Sequence, residues 1–176
     1  MAKQIELRRH TENDGDELTQ DGVTAAVAIG RRLTGGYRMV VSSGAQRATQ
    51  AAACMMAGVG ERVPGGVVVE VGLRSTREDE WRAAYRKAGS GHLDALDQAA
   101  PDLVAEDSAV LAAGLRRVFD RLRDGERALA VGHSPTIEAA VLGLTGEVIP
   151  PLGKGEGVAV TEDEAGYRVT QPAPDV

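Results

Sequence analysis

Leu7-Arg8-Arg9-His10-Thr11-Glu12 follows directly on the first apolar stretch of the chain, begun by Ile5 and Leu7. An imidazole beside a guanidinium at a strand's carboxyl end suits attack on a phosphoryl group. The ring offers a nucleophilic nitrogen, and the guanidinium offers a planar fork of donors for anionic oxygens. Two later segments repeat the arrangement. Met39-Val40-Val41 runs into Ser42-Ser43 and on to Arg47, and residues 128–131 run into Gly132-His133-Ser134-Pro135. Taken singly, each anchor has a plain structural reading. A loop histidine is commonly solvated or structural, His133 need only satisfy local hydrogen bonds, and Arg47 reads as a surface arginine. Arg47 nevertheless sits just inside an expected helix N-terminus, where free N–H groups favour an anion, although its own charge opposes the helix dipole.

The elements that must position these residues follow from pattern. Residues 5–9 read as a strand, and Asn13-Asp14-Gly15 as a turn. Thr19 caps a helix with Asp21 in its first turn, and Val23, Ala26, Val27, Gly30 and Leu33 form its apolar face before Gly35-Gly36 stops it. Residues 39–41 suit a buried parallel strand. Ser43 and Gln46 fit a capping box for a helix running to about Gly58. Residues 67–69 form the next strand, ending at Glu70-Val71. A polar helix over 75–87 carries Trp81 and Tyr85, and 88–101 is partly loop. Residues 106–123 make the clearest helix, with Leu111, Leu115, Val118, Phe119 and Leu122 on one stripe. Residues 128–131 form a strand, and Ser134 caps a helix with Pro135 at its first position. Two weaker strands, 158–161 and 167–170, suit a hairpin, and 172–176 look frayed. Strands alternating with helices predict an α/β fold: a three-layer αβα sandwich around a mostly parallel sheet, as one domain over residues 1–176. Ligands of such folds bind outside the carboxyl ends of the strands, where Arg9, His10, Arg47 and His133 all lie.

Bulk properties bound the partners. The chain has 176 residues, 43% hydrophobic and only 3% aromatic, so Val, Leu, Ala and Ile must build the core. A net charge of -6 argues against nucleic acid as a partner. No apolar run is long enough to span a membrane. The start, Met1 to Glu6, has no signal-peptide core, and the single Cys54 cannot form an internal disulfide, so a cytoplasmic location is expected.

The four motifs together resemble the histidine phosphatase superfamily, also called phosphoglycerate mutase-like. Its Arg-His-Gly-Glu signature is similar to Arg9-His10-Thr11-Glu12, and its Leu-Thr-x-x-Gly to Leu18-Thr19-Gln20-Asp21-Gly22. Its Ser-Ser-x-x-x-Arg-Ala-x-x-Thr-Ala element is similar to residues 42–52, and its late Gly-His-Ser-Pro to Gly132-His133-Ser134-Pro135. The resemblance covers roughly residues 4–145. It implies that neutral His10 attacks phosphorus and becomes a transient phosphohistidine, which water then hydrolyses. It implies that Arg9, Arg47 and a protonated His133 hold the phosphoryl oxygens, and that an acidic residue protonates the leaving oxygen. Cationic side chains would take the role a metal has elsewhere, so neither metal nor cofactor is implied. Two departures stand out. Thr11 replaces the glycine after the nucleophile, and a β-branched residue resists positive φ. The short 11–18 connection lacks the Trp-Asn segment of the mutases, which favours the compact, SixA-like phosphohistidine phosphatases or a small-molecule phosphatase.

Glu70, at the third strand's end, is the expected general acid, although it also reads as a solvated carboxylate. Glu78, Asp79 and Glu80 are rivals that also read as a solvated helix start, and Glu12 reads as a loop hydrogen-bonder. Compact members of the superfamily can lack an obvious acid, which suits a phosphoramidate. Trp81 and Tyr85 read as core, Cys54 as a small core residue, His92 as a solvated loop histidine, and Arg116, Arg117, Arg121 and Arg123 as a solvated helix face. A metal site on His10 and His133 lacks companion ligands, and Gly153–Gly157 is no P-loop. The expected activity is a metal-independent phosphatase acting on a phosphorylated small molecule or a phosphohistidine protein. The alternatives are a non-catalytic phospholigand-binding protein on the same fold and a mutase-type phosphotransferase. Region 71–105 is expected to cover the pocket and set specificity. Substrate identity and oligomeric state are not legible.

Overall fold

A computed structural model of the chain describes residues 1–170; the expected fraying of 172–176 lies outside the described residues. The first strand, β1 (Lys3–Arg9), leads into a tiny ladder, β2 (Asn13–Asp14) with β3 (Glu17–Leu18), around the expected turn. Helix α1 (Gln20–Arg32) follows, capped as expected by Thr19, whose hydroxyl accepts from the Gly22 N–H. Next come β4 (Met39–Ser42), α2 (Gln46–Val59) and β5 (Val67–Val69). A single 3-10 turn (Val71–Leu73) then precedes α3 (Glu78–Ala88), α4 (Leu93–Ala99) and α5 (Pro101–Asp120). Strand β6 (Arg127–Gly132), α6 (Thr136–Thr145) and the hairpin β7 (Gly157–Asp163) and β8 (Gly166–Thr170) complete the order.

The main sheet runs β5-β4-β6-β1-β7-β8. The first four strands are parallel, and β7 returns antiparallel to β1. Period-two alternation divides the core between the two faces. Val40, Leu129 and Val131 pack with Ala26, Ile29, Ala48, Ala52 and Met55 of α1 and α2. Met39, Val41, Ala128 and Ala130 pack with the apolar faces of α3, α4, α5 and α6. This is the expected three-layer α/β arrangement. Among the described residues no helix is long and apolar enough to cross a membrane.

Several local expectations give way to packing. Ile29, not Val23 or Val27, carries the buried face of α1 together with Ala26. Helix α5 begins at Pro101, and α4 occupies the segment read as partly loop. Neither expected serine caps a helix. Helix α2 has Ala45 at its N-cap with no side-chain bond, and α6 has Pro135. The Ser43 hydroxyl lies instead against His133, and that of Ser134 donates to Glu138 one turn on. Tyr85 is exposed, and only Trp81 of that pair enters the core.

Candidate active site

Register brings the two histidines together. Parallel strands β1 and β6 pair Arg9 with Gly132, so the next residues, His10 and His133, emerge side by side. Their rings stand 5.3 Å apart, edge to face, and both are buried. Strand β4 pairs Ser42 with Val131, which brings Ser43 to the same edge. The Ser43 Oγ lies 2.7 Å from Nε2 of His133. Ser42 has a different task. Its Oγ lies 2.7 Å from Oγ1 of Thr49, fastening the first turns of α2, and with them Arg47, to the strand exit.

Hydrogen bonding sets the tautomer of His10. Nδ1 of His10 lies 2.8 Å from the Thr11 carbonyl. A carbonyl only accepts, so Nδ1 carries the proton and Nε2 keeps its lone pair, as a nucleophile requires. The Ser43 hydroxyl accepts weakly from the Ala45 N–H at 3.4 Å and shares one hydrogen with Nε2 of His133, which either atom can donate. Nδ1 of His133 is buried with no partner in the protein. Burial, then the charge of Arg47, then His10 and Arg74 hold the His133 pKa at about 3, while Asp16 acts the other way. Burial lowers His10 to about 4, against the Thr11 bond, with Arg47, Arg9 and Lys154 adding to the fall. Both rings are therefore neutral at physiological pH with only protein groups around them. The protonated His133 expected from sequence requires a phosphoryl anion, whose charge would raise both values.

Arginines frame the rings. Arg9 donates from Nη1 to the Leu152 carbonyl at 2.9 Å, and its Nε is buried without a partner. Arg47 lines a cavity of about 220 Å³ with His133, Ser75, Glu78, Trp81 and Tyr85. His10 and Arg9 lie outside its lining, with the His10 ring packed against that of His133. Arg8 serves structure instead, its guanidinium bonded to the Gly155 carbonyl and to buried Glu6, which also accepts from Tyr37 at 2.5 Å.

The loop after His10 accommodates Thr11 without left-handed backbone, since no described non-glycine residue has positive φ. Thr11 Oγ1 donates to the Gly22 carbonyl at 2.7 Å. Gly22 permits that approach, because a Cβ there would meet the Glu12 carbonyl oxygen at 2.0 Å. Gly155, at φ +79°, closes the loop from the other side by donating to the Arg9 and His10 carbonyls.

Glu70, the sequence candidate for proton donor, is drawn elsewhere. Its Oε1 accepts from the Gly72 N–H at 3.0 Å and from Arg117 at 2.8 Å, it lies outside the cavity lining, and its carboxyl is held below the ordinary value. Burial opposes that shift, and the Arg117 and Gly72 bonds overcome it. Arg117 is thereby no free member of a solvated face. Glu78 does line the cavity, with Oε1 2.7 Å from Nε of Arg74, which holds it ionised. Sequence reasoning passed over Glu138. This carboxylate is fully buried, accepts from the Ser134 hydroxyl at 2.9 Å and from the Leu152 N–H at 3.0 Å, and so joins the His133 loop to the carbonyl that anchors Arg9. It also missed the pair that closes the cavity floor, Ser75 and Trp81 on buried Asp107. A carboxylate four residues after Ser134, on an otherwise apolar helix face, was the available signal for Glu138. Among the described residues no three His, Cys, Asp or Glu side chains gather as metal ligands.

No family model and no curated protein matches the chain. Solved structures share its fold. A phosphoserine phosphatase from Entamoeba histolytica, in complex with 3-phosphoglyceric acid, superposes with a TM-score of 0.72 at 19% identity over 96% of this chain and 95% of that one. A mycobacterial glucosyl-3-phosphoglycerate phosphatase gives 0.69 at 18% identity, covering 98% of this chain and 100% of that one. A phosphoglycerate mutase from Bacillus anthracis gives 0.66 at 16% identity, covering 97% and 92%. The chain thus has the phosphoglycerate mutase-like fold; identities this low speak to fold alone.

Proposed function

We propose that the chain is a metal-independent phosphatase that hydrolyses a phosphomonoester or phosphoramidate through a phosphohistidine on His10. The observation that carries this reading is the pair of neutral, buried rings at adjacent strand exits, one with its Nε2 lone pair free and the other with an unpartnered Nδ1. In the first step the Nε2 lone pair of His10 bonds to phosphorus as the bond to the leaving oxygen or nitrogen breaks. Arg9, Arg47 and His133 neutralise the charge on the phosphoryl oxygens. Water then attacks phosphorus, the P–N bond returns its electrons to His10, and phosphate leaves. Dividing one displacement into two lowers each barrier.

Glu78 is the better placed carboxyl for the leaving group, since it faces the cavity and Glu70 does not. Its pairing with Arg74 keeps it largely ionised, so it seldom holds a proton to donate, which favours substrates whose leaving group needs little help. A phosphoramidate is such a substrate. The phosphatases that share the fold support hydrolysis, and a cytoplasmic setting accords with the lone Cys54.

The test is steady-state hydrolysis of p-nitrophenyl phosphate and a phosphoramidate by wild type and His10→Ala, with and without EDTA. The expected result is EDTA-insensitive turnover that falls by at least about a thousandfold in the variant. Retention of a tenth of the wild-type rate refutes the mechanism. Binding without turnover on either compound favours a phospholigand-binding protein.

A further inference from the structure

Resting on the reading of Arg47 as a phosphoryl-binding group, the geometry points to Asp16 as a specificity-determining residue whose carboxylate competes with the phosphoryl group for Arg47 and disfavours free inorganic phosphate.

The turn at Gly15 carries Asp16 across to α2. There Oδ1 accepts from Nη1 of Arg47 at 2.8 Å and from the Arg47 N–H at 3.4 Å, and Oδ2 accepts from the Gln46 N–H at 3.3 Å. A guanidinium and the first free amides of a helix are the donors an anionic phosphoryl group would use. Here the protein's own carboxylate holds them, on a helix with no side-chain cap and no acid in its first turn. Exposure differs across the pair: the Asp16 side chain is 50% exposed and that of Arg47 18%. Asp16 can therefore swing into water while Arg47 stays at the cavity wall. The charge of Asp16 also reaches His133 and Arg74, which line or border the same site.

A phosphoryl group approaching Arg47 must displace this carboxylate or settle against it. A substrate offsets that cost through contacts of the rest of its molecule with the cavity. Inorganic phosphate has no such remainder, so it is held less tightly and leaves readily once the phosphohistidine is hydrolysed. The rival role, in which Asp16 only caps α2 and orients Arg47, predicts the opposite sign. Loss of its charge would then weaken phosphate binding.

Isothermal calorimetry of inorganic phosphate binding to wild type, Asp16→Asn and Asp16→Ala decides between them, with circular dichroism melts to verify folding. Asparagine keeps an oxygen for the helix amides and removes the charge; alanine removes both. Phosphate is expected to bind about tenfold more tightly to both variants, the effect of one like charge a few ångströms away in a partly solvated site. Unchanged or weaker binding, or no heat with any of the three at millimolar phosphate, overturns the inference. Calorimetry needs no turnover, so failure of the phosphatase reading would leave a tightened phosphate affinity standing. Turnover with an unchanged affinity would overturn the role of Asp16 alone.

Discussion

Lowering the pH from 7.5 to 5 is expected to cost the folded protein ~4 kcal/mol, shared between His10 and His133. The direction follows from the sign of the shifts. Both rings titrate at about 6.5 when unfolded, but at about 4 and about 3 when folded. The unfolded chain therefore binds more protons across this window, and stability rises with pH. The contribution is fully present above about pH 7 and is lost as pH falls toward the folded values. At pH 5 an unfolded ring is almost wholly protonated while a folded one is almost wholly neutral, so each contributes ~2 kcal/mol. Carboxylates held low, such as Glu70 and Glu78, lose their contribution mainly below this window. Glu138, raised by burial, acts in the opposite sense, so the histidine variants provide the cleaner number. Urea melts at pH 7.5, 6 and 5 measure the effect. His10→Gln should remove about half of the pH dependence, and His10→Gln with His133→Gln nearly all of the histidine part. An unaltered slope in the double variant would mean that the rings are solvated or already charged, and the neutral nucleophile would fall with it.

Two further outcomes follow from the carboxylates. Glu70→Gln should leave turnover of an alkyl phosphate, whose leaving oxygen needs a proton, within about threefold of wild type, because Glu70 faces Arg117, whereas Glu78→Gln should lower it by about tenfold or more; parallel rate assays report both, and the reverse order would return the acid to Glu70. Glu138→Ala strands the Leu152 N–H and opens a cavity, so it should cost ~2–4 kcal/mol and lower the melting temperature by at least ~4 °C, with Glu138→Gln recovering most of it; equal melting temperatures for the two variants would show that the buried acceptor contributes nothing.

The sequence by itself singled out the candidate residues and most of the order of elements. Ile5-Glu6-Leu7, Met39-Val40-Val41 and Ala128-Leu129-Ala130-Val131 announce strands because a run of apolar residues is a local property. His10, Arg47 and His133 stand out because each follows such a run. Thr19 caps α1 as read, since an N-cap bond closes within three residues. The tertiary structure decided every relation across the sheet. The adjacency of His10 and His133 comes from the pairing of Arg9 with Gly132, which no spacing of 123 residues encodes. Ser43 and Ser134 carried local capping patterns, yet His133 and Glu138 took their hydroxyls, because a buried polar side chain left without a partner costs more than a helix end open to water. Helix α4, with only Leu93 and Leu96 buried in seven residues, is too short to declare itself and holds by packing between α3 and α5. Glu70 and Tyr85 changed roles for the same reason. A strand-end carboxylate turns to whichever guanidinium the fold brings near, here Arg117, and a tyrosine one helical turn from Trp81 lies where the cavity opens to solvent.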